Sequence, residues 1–61
     1  MQTYEIRLLK ADGTVAMIHL TTCVSDDEAI ARVADIRDIA FDRYEIRQDR
    51  RKVAEGAKPP R

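Results

Sequence analysis

Two alternating apolar segments on either side of a glycine turn constrain this fold more than any other feature. In residues 3–9 the apolar residues Tyr4, Ile6 and Leu8 occupy every second position, and in residues 15–21 Ala16, Ile18 and Leu20 do the same. This period of two is typical of a strand with one buried face. The five residues between the segments, KADGT, are typical of a β-hairpin turn. The chain is therefore expected to begin with two antiparallel strands.

The length of the hairpin turn decides which side chains share a face, because a slip of one residue exchanges the two faces. A two-residue loop mixes apolar and polar side chains on both faces. A three-residue loop with Gly13 left-handed in a bulge makes one face apolar throughout. We therefore predict the three-residue loop. The expected cross-strand pairs are Tyr4 with Leu20, Ile6 with Ile18, and Leu8 with Ala16.

The segment SDDEAIARV marks the start of a helix. Ser25 and Glu28 form the S-x-x-E capping box, and the acids between them lie where the helix dipole favours negative charge. We interpret these acids as a cap rather than a metal site. The helix is expected to run from about residue 26 to residue 40. Its apolar stripe consists of Ala29, Val33, Ile36 and Ala40, with Ile30 and Phe41 at the edge and Arg37 inside it.

The C-terminal third is expected to return to the sheet. Residues 44–47 alternate and predict a third strand with Tyr44 and Ile46 inward. Residues 51–54 form either a short fourth strand or a helical turn, since the turn before them lacks glycine. The domain is expected to span residues 1–54, and residues 55–61 to form a disordered tail.

These elements predict a two-layer α+β domain of order β-β-α-β(β), with one helix packed on one face of a mainly antiparallel sheet of three or four strands. A right-handed crossover from the second strand to the third, passing over the first, would place the first strand in the centre. The alternative is a parallel pairing of the second and third strands.

Size and cysteine usage restrict the function. A chain of 61 residues forms one domain and has little material for a deep cleft. The single cysteine, Cys23, excludes an internal disulfide, and no Cys/His cluster predicts a metal. No apolar run approaches the roughly 20 residues that cross a bilayer. We expect a cytoplasmic protein that is not an enzyme and needs no cofactor.

An uncovered apolar cluster predicts a protein interface. In the chosen register three apolar side chains near the hairpin tip lie on the outer sheet face, which the helix does not cover. Such a cluster marks either an interface or simple exposure. The predicted interface residues are Leu9, Val15 and Met17.

Charge is balanced overall but divided along the chain, with acids in excess before residue 43 and bases in excess after it. The basic side chains cluster on the third and fourth strands, where they are candidate phosphate contacts for a nucleic acid. No aromatic platform for base stacking accompanies them. The other interpretation is a solvated edge strand guarded by charge. The residues are Arg43, Arg47, Arg50, Arg51 and Lys52.

Three further side chains each have more than one interpretation. His19 lies opposite Glu5 in the chosen register and is interpreted as half of a cross-strand polar pair rather than a general base. Cys23 precedes the helix and is either a small apolar filler or a reactive thiol. Arg37 either extends along the sheet edge, pairs with an acid or binds a ligand.

Five short motifs together resemble a family of small alphaproteobacterial domains of unknown function. They are Tyr4-x-Ile6, Asp12-Gly13, Asp26-Asp27-Glu28-Ala29, Tyr44-Glu45-Ile46 and Arg50-Arg51. The resemblance covers residues 3–54 and implies a hairpin, an acid-capped helix and a C-terminal hairpin. It also implies a cytoplasmic origin and no particular activity. The family's last turn commonly contains glycine, whereas this chain has Gln48-Asp49-Arg50.

The sequence therefore favours a non-catalytic protein that acts through protein–protein contact or homodimerisation. The alternative is a weak nucleic-acid-associated or regulatory protein that uses the basic residues. A small enzyme or thiol protein is the third class. No membrane and no small-molecule substrate are expected.

Overall fold

Four strands and one helix follow one another in the order β-β-α-β-β. The computed structural model describes residues 1–59. The elements are β1 (Gln2–Leu9), β2 (Val15–Cys23), α1 (Asp26–Ala34), β3 (Arg43–Gln48) and β4 (Arg51–Ala57). The strands form one antiparallel sheet in the order β2-β1-β3-β4. The predicted α+β class is confirmed, with β1 between β2 and β3 and with the fourth strand present.

The core lies on one face of the sheet, beneath α1. Its centre is the cross-strand pair Ile6 and Ile46, both fully buried. The predicted inward face of β1 is confirmed, because alternate residues of that strand are buried. The core residues are Tyr4, Ile6, Leu8, Cys23, Ala29, Val33, Phe41 and Ile46. Each buried side chain of the sheet is on the α1 side, which leaves the other face without a covering layer.

The hairpin turn has the predicted form. A three-residue loop separates Lys10 from Thr14, and the Lys10 amide donates a hydrogen bond of 2.9 Å to the Thr14 carbonyl. Gly13 has φ +89°, a left-handed conformation that glycine adopts without a steric penalty. The Asp12 carboxylate accepts hydrogen bonds from both the amide and the hydroxyl of Thr14, at 3.0 and 2.7 Å. This contact closes the turn locally.

The register beyond the turn differs from the prediction. A β-bulge adds one residue, Ala16, to β2, so that Leu8 lies opposite Met17. The predicted pairs of Tyr4 with Leu20, Ile6 with Ile18 and Leu8 with Ala16 are therefore wrong. The observed partners are Thr21, His19 and Met17. A bulge leaves the hydrophobic alternation of a sequence intact while it exchanges the faces of every residue after it.

Tertiary contacts at the far end of β2 account for this register. Cys23 is fully buried in the core, and the Thr21 hydroxyl accepts a hydrogen bond from Arg32 of α1 at 3.2 Å. Both contacts form only when these side chains lie on the α1 side of the sheet, and the bulge places them there. The cost is that Ile18 and Leu20, predicted to be in the core, lie on the opposite face.

Helix α1 begins where predicted and ends six residues early. The Ser25 hydroxyl accepts a hydrogen bond from the amide of Glu28 at 3.3 Å, which confirms the cap. The helix stops at Ala34, so Arg37 and Ala40 are exposed in an irregular segment rather than part of a helical stripe. Asp38 would lie in the last turn of a helix that ended at residue 40, where the helix dipole disfavours an acid. The segment instead buries Phe41 in the core.

The second hairpin is longer than predicted. Asp49 adopts φ +54°, the left-handed conformation for which a glycine would be expected, and this closes the turn between Gln48 and Arg51. Strand β4 continues to Ala57, three residues into the predicted disordered tail. The Lys58 amide then donates to the carbonyl of Asp42 at 2.8 Å. The last two residues of the predicted tail, 60 and 61, lie outside the described residues.

Replacing Asp49 with glycine is expected to raise the free energy of unfolding by about 0.5–1 kcal/mol, because glycine adopts positive φ without the clash of a Cβ atom. Arg50→Gly is the matched control, since Arg50 has no positive φ. We expect it to lower stability by about 0.5–1 kcal/mol through chain entropy. Urea denaturation of both variants measures the difference, and equal effects would contradict the assigned turn.

Candidate interaction surface

The sheet face away from α1, here called the open face, carries an aliphatic row along β2. Val15 and Ile18 are each 50% exposed and Leu20 is 65% exposed. Directly paired residues of neighbouring strands project to the same face. In the observed register Val15, Ile18 and Leu20 lie beside Leu9, Arg7 and Glu5 of β1. The row is therefore apolar on the edge strand and bordered by charge towards the centre of the sheet.

The structure separates the three predicted interface residues. Leu9 and Val15 pair with each other on the open face, as expected. Met17 lies on the α1 face instead, because it follows the bulge. There it lines a cleft of about 240 Å³ with Leu8, His19, Ile36, Asp38 and Ile39. Sequence reasoning missed Ile18 and Leu20, since only the bulge places them on the open face.

A network of ion pairs covers the middle of the open face. The Glu45 carboxylate lies 3.9 Å from Arg7, 3.7 Å from Arg47 and 3.6 Å from Lys52. Only 18% of the Glu45 side chain is exposed. Arg7 also pairs with Glu5, and Lys52 with Glu55. The charges here neutralise one another, so the apolar row is the part of this face that gains most from burial.

The five predicted basic residues do not form one surface. Arg47 and Lys52 lie on the open face against Glu45, whereas Arg51 binds Asp26 at the start of α1. Arg43 pairs with Leu9, and Arg50 lies in the turn. Three of the five are thus ion-paired. A phosphate backbone would have to displace acids to reach them, which lowers the electrostatic gain on which nucleic-acid binding depends.

The two edges of the sheet differ in charge. Strand β2 forms one edge with nine residues, VAMIHLTTC, and carries no lysine, arginine, aspartate or glutamate. Strand β4 forms the other edge and carries three charged residues in seven. It also has a register irregularity opposite Ile46 and Arg47. Charges and bulges hinder further pairing at an edge. Strand β2 is therefore the edge at which a further strand can pair more readily.

A buried tyrosine and an arginine share the first acid of α1. The Tyr4 hydroxyl donates to Asp26 at 2.7 Å, and Arg51 donates to both carboxylate oxygens of Asp26 at 3.0 Å. The hydrogen bonds from Arg51 and then from Tyr4 lower the pKa of the Asp26 carboxyl. The same bond to Asp26, followed by burial, raises the pKa of the Tyr4 hydroxyl. The sequence predicted only a helix cap here, yet this acid ties β1 and β4 to α1.

Acid is expected to destabilise the protein partly through Asp26. Its pKa is lower in the folded chain than in the unfolded chain, so its contribution is complete above the ordinary carboxyl range, about pH 4, and is lost as the pH falls towards the folded-state pKa. Asp26→Asn should melt several degrees lower than the parent at pH 7 and lose less on acidification. Thermal melts between pH 7 and pH 2 measure this.

Asp27→Asn is the matched control for Asp26→Asn, because it removes the same charge one position further along the first helical turn. It should keep the acid dependence of the parent. Asp12 also has a lowered pKa, caused chiefly by its bond to the Thr14 hydroxyl, so a residual slope is expected in both variants. A parental slope in Asp26→Asn would show that the Tyr4–Asp26–Arg51 contact is not formed.

The structure places the remaining candidate residues, His19 and Cys23, in the sheet, where neither is part of a catalytic or metal-binding cluster of the described residues. His19 lies opposite Ile6 rather than Glu5, so the predicted polar pair is wrong; Leu20 occupies the place opposite Glu5. Cys23 is buried as a free thiol, in agreement with the interpretation as an apolar filler. Among residues 1–59 no group of three His, Cys, Asp or Glu side chains is arranged to hold a metal ion.

Comparison of the chain with protein-family models, with curated proteins and with solved structures found no match. Within the part of the chain that the structure describes, no helix has the length and apolar character needed to cross a membrane.

Proposed function

We propose that this chain is a non-catalytic interaction domain of the cytoplasm, and that it assembles with a second copy of itself through the open face and strand β2. The observation that carries this proposal is the aliphatic row of Val15, Ile18 and Leu20. Isolated exposed apolar residues are ordinary, but a contiguous group beside an unguarded strand edge is typical of an interface.

The cost of leaving the row exposed supports the same conclusion. The domain buries only eight residues as its core, and three large aliphatic side chains remain half or more exposed on one strand. Full burial of a side chain of this size contributes about 1.5–3 kcal/mol. Small domains commonly use oligomerisation to complete a limited core. A second copy placed beside β2 would bury part of this exposed apolar surface.

The polar groups of the domain support binding rather than catalysis. Tyr4, Asp26 and Arg51 hold three elements together, and the charges around Glu45 are paired with one another. A catalytic acid or base needs access to a substrate proton. These groups are instead committed to the structure of the fold.

Sedimentation velocity of the parent chain and of Leu20→Glu tests the proposal. Each dimer contains two copies of Leu20, so losing about half of the full burial energy of each removes about 1.5–3 kcal/mol and should raise the dissociation constant at least about tenfold. Ile30→Glu is the control, because it introduces the same charge at an exposed isoleucine of α1. Circular dichroism verifies that both variants fold.

The expected result is a parent dimer that persists in Ile30→Glu and dissociates in Leu20→Glu. A parent chain that sediments as a monomer at its highest soluble concentration would refute the proposal. A Leu20→Glu variant that associates as strongly as the parent would refute the role of this face.

A further inference from the structure

The free edge of β2 has the features of a strand that can pair with a strand from another molecule. It is nine residues long and contains no lysine, arginine, aspartate, glutamate or proline, and within the described residues it is hydrogen-bonded to a neighbouring strand on one side only. An edge strand presents unpaired amides and carbonyls along its free side. On the open face the same strand exposes Ile18 and Leu20. Strand β2 therefore exposes both unpaired backbone groups and apolar side chains with which a partner strand can interact.

We infer that β2 pairs antiparallel with β2 of a second copy, which joins the two four-stranded sheets into one sheet of eight strands. This inference rests on the proposed function and specifies its geometry. Self-complementarity identifies the second copy as the occupant: an antiparallel pair of β2 strands can set Ile18 of each copy against Leu20 of the other, and it brings no lysine, arginine, aspartate or glutamate to the seam. A strongly charged partner strand would find no counter-charge on β2.

The aliphatic row selects the register. Centred on His19, the pairing places Ile18 of each copy opposite Leu20 of the other, so that four aliphatic side chains meet on the open face. Centred on Ile18, it pairs Leu20 with the bulged Ala16, and centred on Leu20, it pairs Ile18 with Thr22. Apolar pairs stabilise neighbouring strands more than mixed pairs do. All three registers keep both helices on one side of the joined sheet, so the apolar pairing alone decides among them.

The difference between the two edges makes the assembly close at two copies. Pairing of β2 with β2 is isologous, because each copy uses the same strand. The outer edges of the joined sheet are then two β4 strands, each with Arg51, Lys52 and Glu55. These charges and the irregularity near Val53 oppose further addition. The inferred product is a dimer rather than a filament.

Isotope-filtered NMR of the unmodified chain tests the geometry. Labelled and unlabelled copies are mixed, and contacts between them are recorded. The expected result is a set of intermolecular contacts between Ile18 methyls and Leu20 methyls. Hydrogen exchange at two protein concentrations is the second measurement: amides of β2 should lose protection on dilution, whereas amides of β4 should not change.

The outcomes separate this inference from the proposed function. A dimer whose intermolecular contacts come from Leu9 or Arg7, with β2 amides unchanged on dilution, would overturn edge pairing and leave self-association in place. Contacts of Leu20 with Leu20, without Ile18 to Leu20 contacts, would overturn the register. A monomer by sedimentation would overturn the proposed function and this inference with it.

Discussion

Replacing Ile6 with alanine is expected to remove a large part of the free energy of unfolding of this domain. Ile6 is fully buried on the central strand and pairs with Ile46 on one side and His19 on the other. Truncation of a buried isoleucine costs about 2–5 kcal/mol, from lost transfer energy and the cavity that remains. A domain of this length has a free energy of unfolding of about 3–9 kcal/mol, so one such cavity costs a substantial fraction of it.

Urea denaturation followed by circular dichroism measures the effect of Ile6→Ala. Ile30→Ala is the control, because Ile30 lies on α1 with 37% of its surface exposed and outside the core cluster. Its change in stability should be small, since alanine also favours the helix. If Ile6→Ala lost no more stability than Ile30→Ala, Ile6 would not be at the centre of the core.

Replacing Phe41 with alanine is expected to cost about 3–5 kcal/mol, the range for a buried aromatic residue. Phe41 is 6% exposed and packs in the core although it lies in an irregular segment. The adjoining backbone is fixed to β1, because the Asp42 amide donates to the Leu9 carbonyl at 2.8 Å. The Ala11 amide also donates to the Asp42 carboxylate at 3.0 Å.

The Phe41→Ala variant distinguishes the observed chain path from the longer helix predicted by periodicity. In the longer helix Arg37 lies in the apolar stripe and Phe41 at its edge. In the structure Arg37 is exposed and Phe41 is buried. Arg37→Ala is therefore the control and should change stability by less than about 0.5 kcal/mol. A larger loss from Arg37→Ala than from Phe41→Ala would favour the longer helix.

The sequence predicted an uncovered apolar cluster on the outer face of the sheet, but only some of the residues that form it. Reasoning from the hairpin indicated an uncovered apolar cluster on the outer face, and Leu9 and Val15 lie there. Met17 does not, and Ile18 and Leu20 take its place, because one bulged alanine exchanges the faces of the strand beyond it. No local signal in VAMIHL distinguishes a bulge at Ala16 from a regular ladder.

Local chemistry explains what the sequence determined by itself. Glycine at position 13, the serine and acids before α1, and the alternation of β1 each act within a few residues of the chain. Their effects on the turn, the helix start and the buried face of β1 therefore appear in the structure as predicted. The sequence left two strand orders open, and the structure has the one with β1 between β2 and β3, the order expected from a right-handed crossover.

Only the tertiary structure decided the register of β2, the end of α1, the length of β4 and the role of Asp26. Each depends on partners distant in sequence: Thr21 with Arg32, Asp42 with Leu9, Lys58 with Asp42, and Asp26 with both Tyr4 and Arg51. Hydrophobic periodicity reports only which residues of one element share a face, so it carries no information on contacts between elements that are distant in the sequence.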